Sequence, residues 1–204
     1  MKEDHQPVTA KTLAGNPSAC PKPAPPPEEQ HRKEAKAKAD RLHEIWCDIQ
    51  RSIRYHRARE SFFQWYANLF TFLTLLAGSG VVVAALSTAP KAVAVWCGVA
   101  VAAMQSLELV LQISLKARLH NGLASEFSAL DRVMAKNPIM TDKALNELHA
   151  DILTIEAREP PIKRYLDLIC HNQVARAIGS DDTEPLTFWQ RTLAHWRSGQ
   201  TALQ

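Results

Sequence analysis

The sequence contains few of the residues that mark an enzyme or a disulfide-linked secreted protein. Its 204 residues include only seven glycines and four cysteines, and the cysteines have no paired spacing. It has no glycine-rich phosphate loop and no nucleophile elbow. Cys170-His171-Asn172 resembles a cysteine hydrolase set, but consecutive helical residues point about 100° apart and cannot form a relay. His43 and Cys47 are four residues apart and supply only half of a metal site, so we predict no bound metal. Because none of these motifs is complete, we also predict no catalytic residues and no other cofactor.

Charged residues are also scarce over one long stretch of the chain. Residues 61–90 carry no charged side chain, and residues 92–115 carry only Glu108. Each segment is longer than the roughly 20 residues that cross a hydrocarbon core about 30 Å thick. A soluble chain of this length has too little other apolar sequence to surround two such helices. We therefore predict an all-α integral membrane protein with a helical hairpin of two transmembrane helices, about 65–86 and 92–115.

Basic residues flank the predicted hairpin on one side. The flanking residues are Arg51, Arg54, Arg57, Arg59, Lys116, Arg118 and Arg132, whereas the turn contains only Lys91. Positive residues near spans stay on the cytoplasmic side, so both termini are predicted to be cytoplasmic, in a bacterial inner membrane. The formal net charge of +3 is too small to predict a nucleic-acid partner.

Aromatic and basic side chains fall at the predicted membrane interfaces. Trp65 and Tyr66 lie at the inner interface and Trp96 near the outer one, depths that suit amphipathic rings. Three arginines close to the first span have alternative partners, namely lipid headgroups, acidic residues of later helices or a nucleotide. These are Arg54, Arg57 and Arg59. Headgroups and intramolecular pairs are the interpretations favoured here.

The segment before the hairpin divides into an arm and a helix. Residues 1–31 are predicted to be a disordered, proline-rich arm, and no apolar run near the N-terminus indicates a signal peptide. A helix is predicted from about Arg32 directly into the first span. Its apolar face is formed by Leu42, Ile45, Trp46, Ile49, Ile53 and His56.

The segment after the hairpin is predicted to complete a cytoplasmic helical bundle. The second span continues as one helix to Asn137-Pro138, with a stripe of Leu115, Leu119, Leu123, Phe127 and Leu130. One further helix begins at Thr141 or Asp142 and shows Leu145, Leu148, Ile152 and Ile155. Another begins at Pro161, shows Ile162, Tyr165, Leu166, Ile169 and Val174, and ends at Gly179. The amphipathic segment 180–204 places Trp189 and Trp196 either in the inner membrane interface or on the bundle.

The layout resembles the SLATT family, two-helix membrane effector domains of prokaryotic conflict systems. The resemblance is carried by the lead-in 54–63 (RYHRARESFF), by the close hairpin, and by Arg158-Glu159-Pro160-Pro161. A later helix with Asp167, Cys170, His171 and Asn172 completes it, so the similarity covers about residues 36–179 of the predicted two-span domain, residues 32–179. The resemblance implies a pore-forming protein that kills or arrests an infected cell when a sensor triggers it. Because the chain has no fused nucleotide-generating or nucleotide-binding domain, the signal is expected from a separate protein.

Polar residues inside the predicted spans are the candidate functional residues. Gln105, Glu108 and Gln112 share one face of the second span. Asn68, Thr71 and Thr74 form a second polar line on the first span. An intramembrane carboxylate is costly and faces a partner or water. The alternatives are pore lining by several hairpins, interhelical hydrogen bonding without conduction, and a snorkelling or neutral acid at the interface.

Two function classes follow from these patterns. The first is an oligomeric pore-forming or membrane-disrupting effector of antiphage defence, whose partners are the lipid bilayer, further copies of itself and a neighbouring sensor or nucleotide signal. Two helices cannot enclose an aqueous path, so this function needs a homo-oligomer. The second is a membrane-anchored adaptor that recruits a partner through its cytoplasmic helices.

Overall fold

Helices are the regular elements of the described part of the chain, and loops connect them. This computed structural model describes residues 27–87 and 90–196, and no strand occurs within those ranges. The helices are α1 (Pro27–Leu86), α2 (Lys91–Leu111), α3 (Ile113–Lys136), α4 (Asp142–Glu156), α5 (Arg164–Ala177) and α6 (Phe188–Thr192). Most of the predicted arm lies outside the described residues, but residues 27–31 already belong to α1. The first helix therefore begins at Pro27, not near Arg32.

The chain divides into two units, residues 1–38 and 39–204. The described part of the first unit is the beginning of α1. Proline at the first helical position needs no amide hydrogen there, and Glu28 and Glu29 complement the positive end of the helix dipole. Lys33 Nζ lies 2.7 Å from Glu29 Oε1 across one helical turn, a spacing that stabilises the helix.

The apolar parts of α1 and α2, residues 61–86 and 91–111, form a hairpin in direct contact. A Cβ atom built on Gly80 would lie 3.3 Å from Cys97 Sγ, and Gln105 Nε2 donates to Thr74 Oγ1 at 3.2 Å. Both helices are long and apolar enough, by length and composition, to cross a membrane. α2 has no buried residue among those described, and large side chains such as Leu76 and Val95 are exposed. Burial inside this chain therefore does not account for the apolar surface of the hairpin.

The helix leaving the hairpin is interrupted at Gln112. Gln112 has φ 50° and ψ 43°, a left-handed conformation that costs a residue with a Cβ atom about 1–2 kcal/mol. Its N–H still donates to Glu108 O at 2.8 Å, and the helical pattern resumes with Lys116 N–H to Gln112 O at 3.0 Å. The prediction of one unbroken helix from the second span to Asn137 is therefore wrong. α2 ends at Leu111, four residues before the predicted end of the span.

Residues 39–60 of α1 pack with α3 and α4 around one apolar core. The predicted faces of α1 and α4 are confirmed, and the core contains Ile45, Ile49, Leu123, Phe127, Leu130, Met134, Met140, Leu145, Leu148, Ile152 and Ile155. The stripe on α3 was predicted only in part, because Leu115 and Leu119 are exposed. Their places on the buried face are taken by Ile113, Ala117 and His120.

The boundaries of α4 and α5 follow local hydrogen bonds. Thr141 caps α4 as predicted, since its Oγ1 accepts from Ala144 N at 3.2 Å. α5 begins at Arg164, three residues after the predicted start at Pro161. The cause lies in the preceding loop, where Tyr55 Oη accepts from Lys163 N at 2.9 Å and holds that residue in an extended conformation. Gly179 follows α5 with φ 72°, as the sequence predicts for a left-handed terminator.

Candidate functional site

Glu108 lies at the break between α2 and α3. Its Oε1 accepts from Ser114 Oγ at 2.9 Å, so one hydrogen bond joins side chains on either side of Gln112. Glu108 faces an open cavity of about 380 Å³ together with Gln105, Gln112 and Ser114. The predicted polar face of α2 is thus gathered around one cavity, and Ser114 is a member that the sequence did not single out.

The polar residues of α1 divide into two groups. Thr74 joins the face of α2 through its hydrogen bond from Gln105. Asn68 accepts from Gln64 at 3.0 Å and Thr71 donates to Ala67 O at 2.9 Å, so both are bonded along α1 itself. The structure therefore brings Thr74 to the second span and leaves Asn68 and Thr71 on the surface of the first.

The three arginines before the hairpin have different surroundings. Arg57 Nη1 donates to Glu60 Oε2 at 2.9 Å and to Asn121 Oδ1 at 3.0 Å, linking α1 to α3. Arg59 is buried, and its guanidinium carbon lies 4.5 Å from the centre of the Phe63 ring. Burial lowers the pKa of Arg59, and the neighbouring Tyr55 hydroxyl opposes this shift. Arg54 has one buried nitrogen without a described hydrogen-bond partner.

The C-terminal segment, residues 180–196 as described, docks on α1 and α5. Arg59 Nη1 donates to His195 O at 2.9 Å, and the His195 ring stacks on Phe62 with centroids 4.5 Å apart. Ala194 is buried against Tyr55 and Cys170. The described part of the segment therefore contacts the bundle, and its placement in the membrane interface stays a prediction. Phe188, Trp189 and Trp196 of the segment are exposed, as is Trp65.

A buried histidine pair joins α1 to α3. The Nδ1 atoms of His56 and His120 are 3.0 Å apart, and His56 Nε2 lies 3.0 Å from Glu159 Oε1. The side chains are 1% and 3% exposed. Phe127 stacks on His56 and Phe63 on His120, each with centroids 5.7 Å apart. We call these three hydrogen-bonding residues, Glu159, His56 and His120, the histidine chain.

The histidine chain disfavours a second proton. Burial lowers the pKa of His120 to about 4, with further contributions from the neighbouring His56 and Arg59. The unfolded chain therefore takes up this proton at higher pH than the folded chain does. The contribution of a neutral His120 to stability is fully present above the ordinary value of 6.5 and declines as pH falls toward about 4.

A second cavity opens beside the histidine chain. It has a volume of about 350 Å³, and its charged lining consists of Arg51, Glu156, Glu159 and Asp167 beside His56. Burial raises the pKa of Glu156 and that of Asp167, although Arg51, 3.5 Å from Asp167, lowers the latter. Within the described ranges no group of three or more histidine, cysteine, aspartate or glutamate side chains is arranged to hold a metal ion.

The remaining candidate residues lie in separate surroundings. Cys170 is 1% exposed, and burial raises the pKa of its thiol to about 12, which disfavours the thiolate form that a nucleophile needs. Asn172 donates to Glu184 O at 2.7 Å and accepts from Glu184 N at 2.9 Å, which holds the C-terminal segment. His43 Nε2 and Cys47 Sγ form one pair 3.6 Å apart. Trp96 is exposed on α2.

Sequence reasoning placed His56 on an apolar face and named Glu159 only as part of a motif. It gave no role to His120. A signal was present, because His120 lies three residues before Leu123 and seven before Phe127, which is helical spacing on a buried face. Comparison with known proteins finds no matching family model, no matching curated protein and no matching solved structure. The resemblance to the SLATT family therefore stays a prediction.

Proposed function

We propose that this protein is a membrane effector whose hairpins assemble into a pore in the bacterial inner membrane, acting in antiphage defence. The observation that supports it most is the distribution of polarity in the hairpin. Large apolar side chains are exposed on both helices, whereas Gln105, Glu108, Gln112 and Ser114 surround one cavity. Such an arrangement suits a surface that meets lipid on one side and water or a neighbouring copy on the other.

Conduction requires several copies of the chain. Two helices cannot enclose an aqueous path, but a ring of hairpins that each present the Glu108 face inward surrounds one with carboxylates. Rings of acidic side chains favour cations. The activating signal comes from a separate sensor protein or the nucleotide it makes, and it acts on the helical bundle that continues the hairpin.

The small residues of the hairpin allow a sharp test of assembly. Gly80 already faces Cys97 inside the hairpin, whereas a Cβ on Gly78 would meet nothing within 4 Å. Gly78→Leu should therefore leave the single hairpin intact and reduce multimers, if Gly78 lies at a contact between copies. Crosslinking in lipid bilayers measures this, and Gly98→Leu, at an equally open position on α2, is the matched comparison.

A wild-type protein that stays monomeric in bilayers at every concentration would count against the pore. Equal loss of multimers in both leucine variants together with loss of helix content would instead indicate damage to the fold and not a lost contact between copies. Gly80→Leu serves as the positive control for such damage, since its side chain must displace Cys97.

Orientation in the membrane is a second testable part of the proposal. With both termini cytoplasmic, a single cysteine placed at Thr88 in an otherwise cysteine-free chain should react with an impermeant reagent added outside cells. A cysteine at Lys36 should react only after the cells are opened. Reaction at Lys36 in intact cells with protection at Thr88 would reverse the topology inferred from the flanking basic residues.

An adaptor is the competing function, and one surface of the bundle favours it. Ile139 is 93% exposed, and next to it Val133, Met140 and Leu148 line a cavity of about 350 Å³. Ile139 and Val133 thus offer a small exposed apolar surface at the mouth of this cavity, to which a partner protein would bind. The two functions differ in one measurable respect, because an adaptor does not depolarise cells and a pore does.

A further inference from the structure

We propose that the histidine chain is a proton-operated latch, which holds α1, α3 and the α4–α5 loop (residues 157–163) together and releases them when both imidazoles are protonated. The latch rests on the proposed function only in the effect that its release would have on the hairpin. The latch itself concerns contacts within the bundle and is measured without any pore activity.

The geometry allows one proton, and only one, between the rings. At 3.0 Å, one Nδ1 must donate and the other must accept. With Glu159 ionised, His56 Nε2 donates to the carboxylate at 3.0 Å, and the pair tolerates one positive charge. A second added proton places an N–H on each Nδ1, so two donors and two positive charges face each other. The contact must then open.

The surroundings give the pair no other way to hold a second charge. The rings lie between Phe127 and Phe63, so neither face is open to water. The charged and titratable groups described around them are Tyr55 and Arg59 of α1, together with Arg51, Glu156, Glu159 and Asp167, which line the cavity beside His56. Among the described residues outside the pair, only Glu159 bonds one of the two rings, and its carboxylate can compensate one proton on His56.

The position of the latch connects it to the hairpin. Phe63, which stacks on His120, belongs to the apolar part of α1, and Gln112 precedes His120 by about two helical turns. Release of the histidine contact therefore weakens the attachment of α3 to α1 at the end of the bundle nearest Glu108, where the bond from Arg57 to Asn121 is the other described polar link. In a cell whose membrane conducts protons inward, acidification would release the latch further.

Hydrogen exchange of the full chain in lipid nanodiscs tests the latch. We expect backbone protection in segments 52–60 and 116–124 to fall together by about tenfold or more between roughly pH 7 and pH 4, after correction for intrinsic exchange. His120→Phe fills the same space beside Phe63 and cannot be protonated, so the fall should disappear. His149→Phe changes an exposed histidine of α4 and should keep it.

A second variant keeps the test valid if His120→Phe does not fold. Glu159→Gln retains both rings and an acceptor for His56 Nε2–H but removes the charge that compensates a proton on His56. The closed pair then tolerates no positive charge, so the first proton already opens the contact and the midpoint of the fall should move to higher pH. Protection that is unchanged down to about pH 4, a fall that persists in folded His120→Phe, or a midpoint that stays or falls in Glu159→Gln would each overturn the proposal.

Discussion

Glu108→Gln should assemble like the wild-type protein and yet lose cation preference and toxicity. Glutamine keeps the side-chain size and the oxygen that accepts from Ser114 Oγ, so the bond across the break at Gln112 survives. Interhelical hydrogen bonds in a membrane protein average about 0.6 kcal/mol, so assembly should change little. A pore selects cations through its fixed charge, and glutamine removes that charge entirely. Reversal potentials in planar bilayers and a membrane-potential dye in induced cells measure the effect.

Two further variants separate charge from hydrogen bonding. Ser114→Ala removes the bond to Glu108 and keeps the carboxylate, so it should conduct with cation preference if charge is what matters. Glu108→Leu removes both and is expected to lose toxicity together with part of the assembly. Full toxicity and unchanged selectivity in Glu108→Gln would leave Glu108 with a structural role and remove it from the pore.

Phe127→Ala should cost the bundle about 3–5 kcal/mol of its free energy of unfolding. Phe127 is 1% exposed, belongs to the core shared by α1, α3 and α4, and stacks on His56. Removing the ring leaves a cavity and uncovers the face of His56 on which Phe127 stacks. Because small domains are stable by only about 5–15 kcal/mol, this variant should melt well below the wild type, as measured by circular dichroism in detergent.

The comparison for this variant is Leu153→Ala on α4. Leu153 is 52% exposed, so its truncation should change stability by no more than about 0.5 kcal/mol. Phe127→Leu, which keeps an apolar side chain of intermediate volume, should fall between the two. Equal melting temperatures for Phe127→Ala and Leu153→Ala would show that the core assigned to Phe127 does not stabilise the bundle.

Apolar periodicity and turn chemistry predicted most of the helices but not the break at Gln112. The buried faces of α1 and α4, the cap at Thr141 and the left-handed Gly179 are all encoded locally, by spacing or by residues with special backbone preferences. Gln112 has no such preference. Near the start of α3 the buried face runs through Ile113 and Ala117, whereas Leu115 is exposed, and the apolar spacing alone does not distinguish these positions.

The two candidate sites also differ in how far the sequence alone reveals them. Glu108 was identifiable because a charge in an apolar run is conspicuous in the sequence alone. The histidine chain was not, since His56, His120 and Glu159 lie far apart along the chain and meet only when three elements pack. The first residue of α5 was also predicted wrongly, because the hydrogen bond from Lys163 N–H to Tyr55 of α1 forms only when the chain folds.

The two helices of the hairpin enter the bundle in unequal ways. From residue 39 to Leu86, α1 is one uninterrupted rod about 70 Å long, whereas its partner has a joint at Gln112. Under the proposed function, a rotation of α1 in the bundle would therefore be carried along one continuous helix to Thr74. A rotation of α3 would first have to pass the left-handed Gln112 before it reached Gln105, so we expect α1 to be the main mechanical link between the bundle and the hairpin.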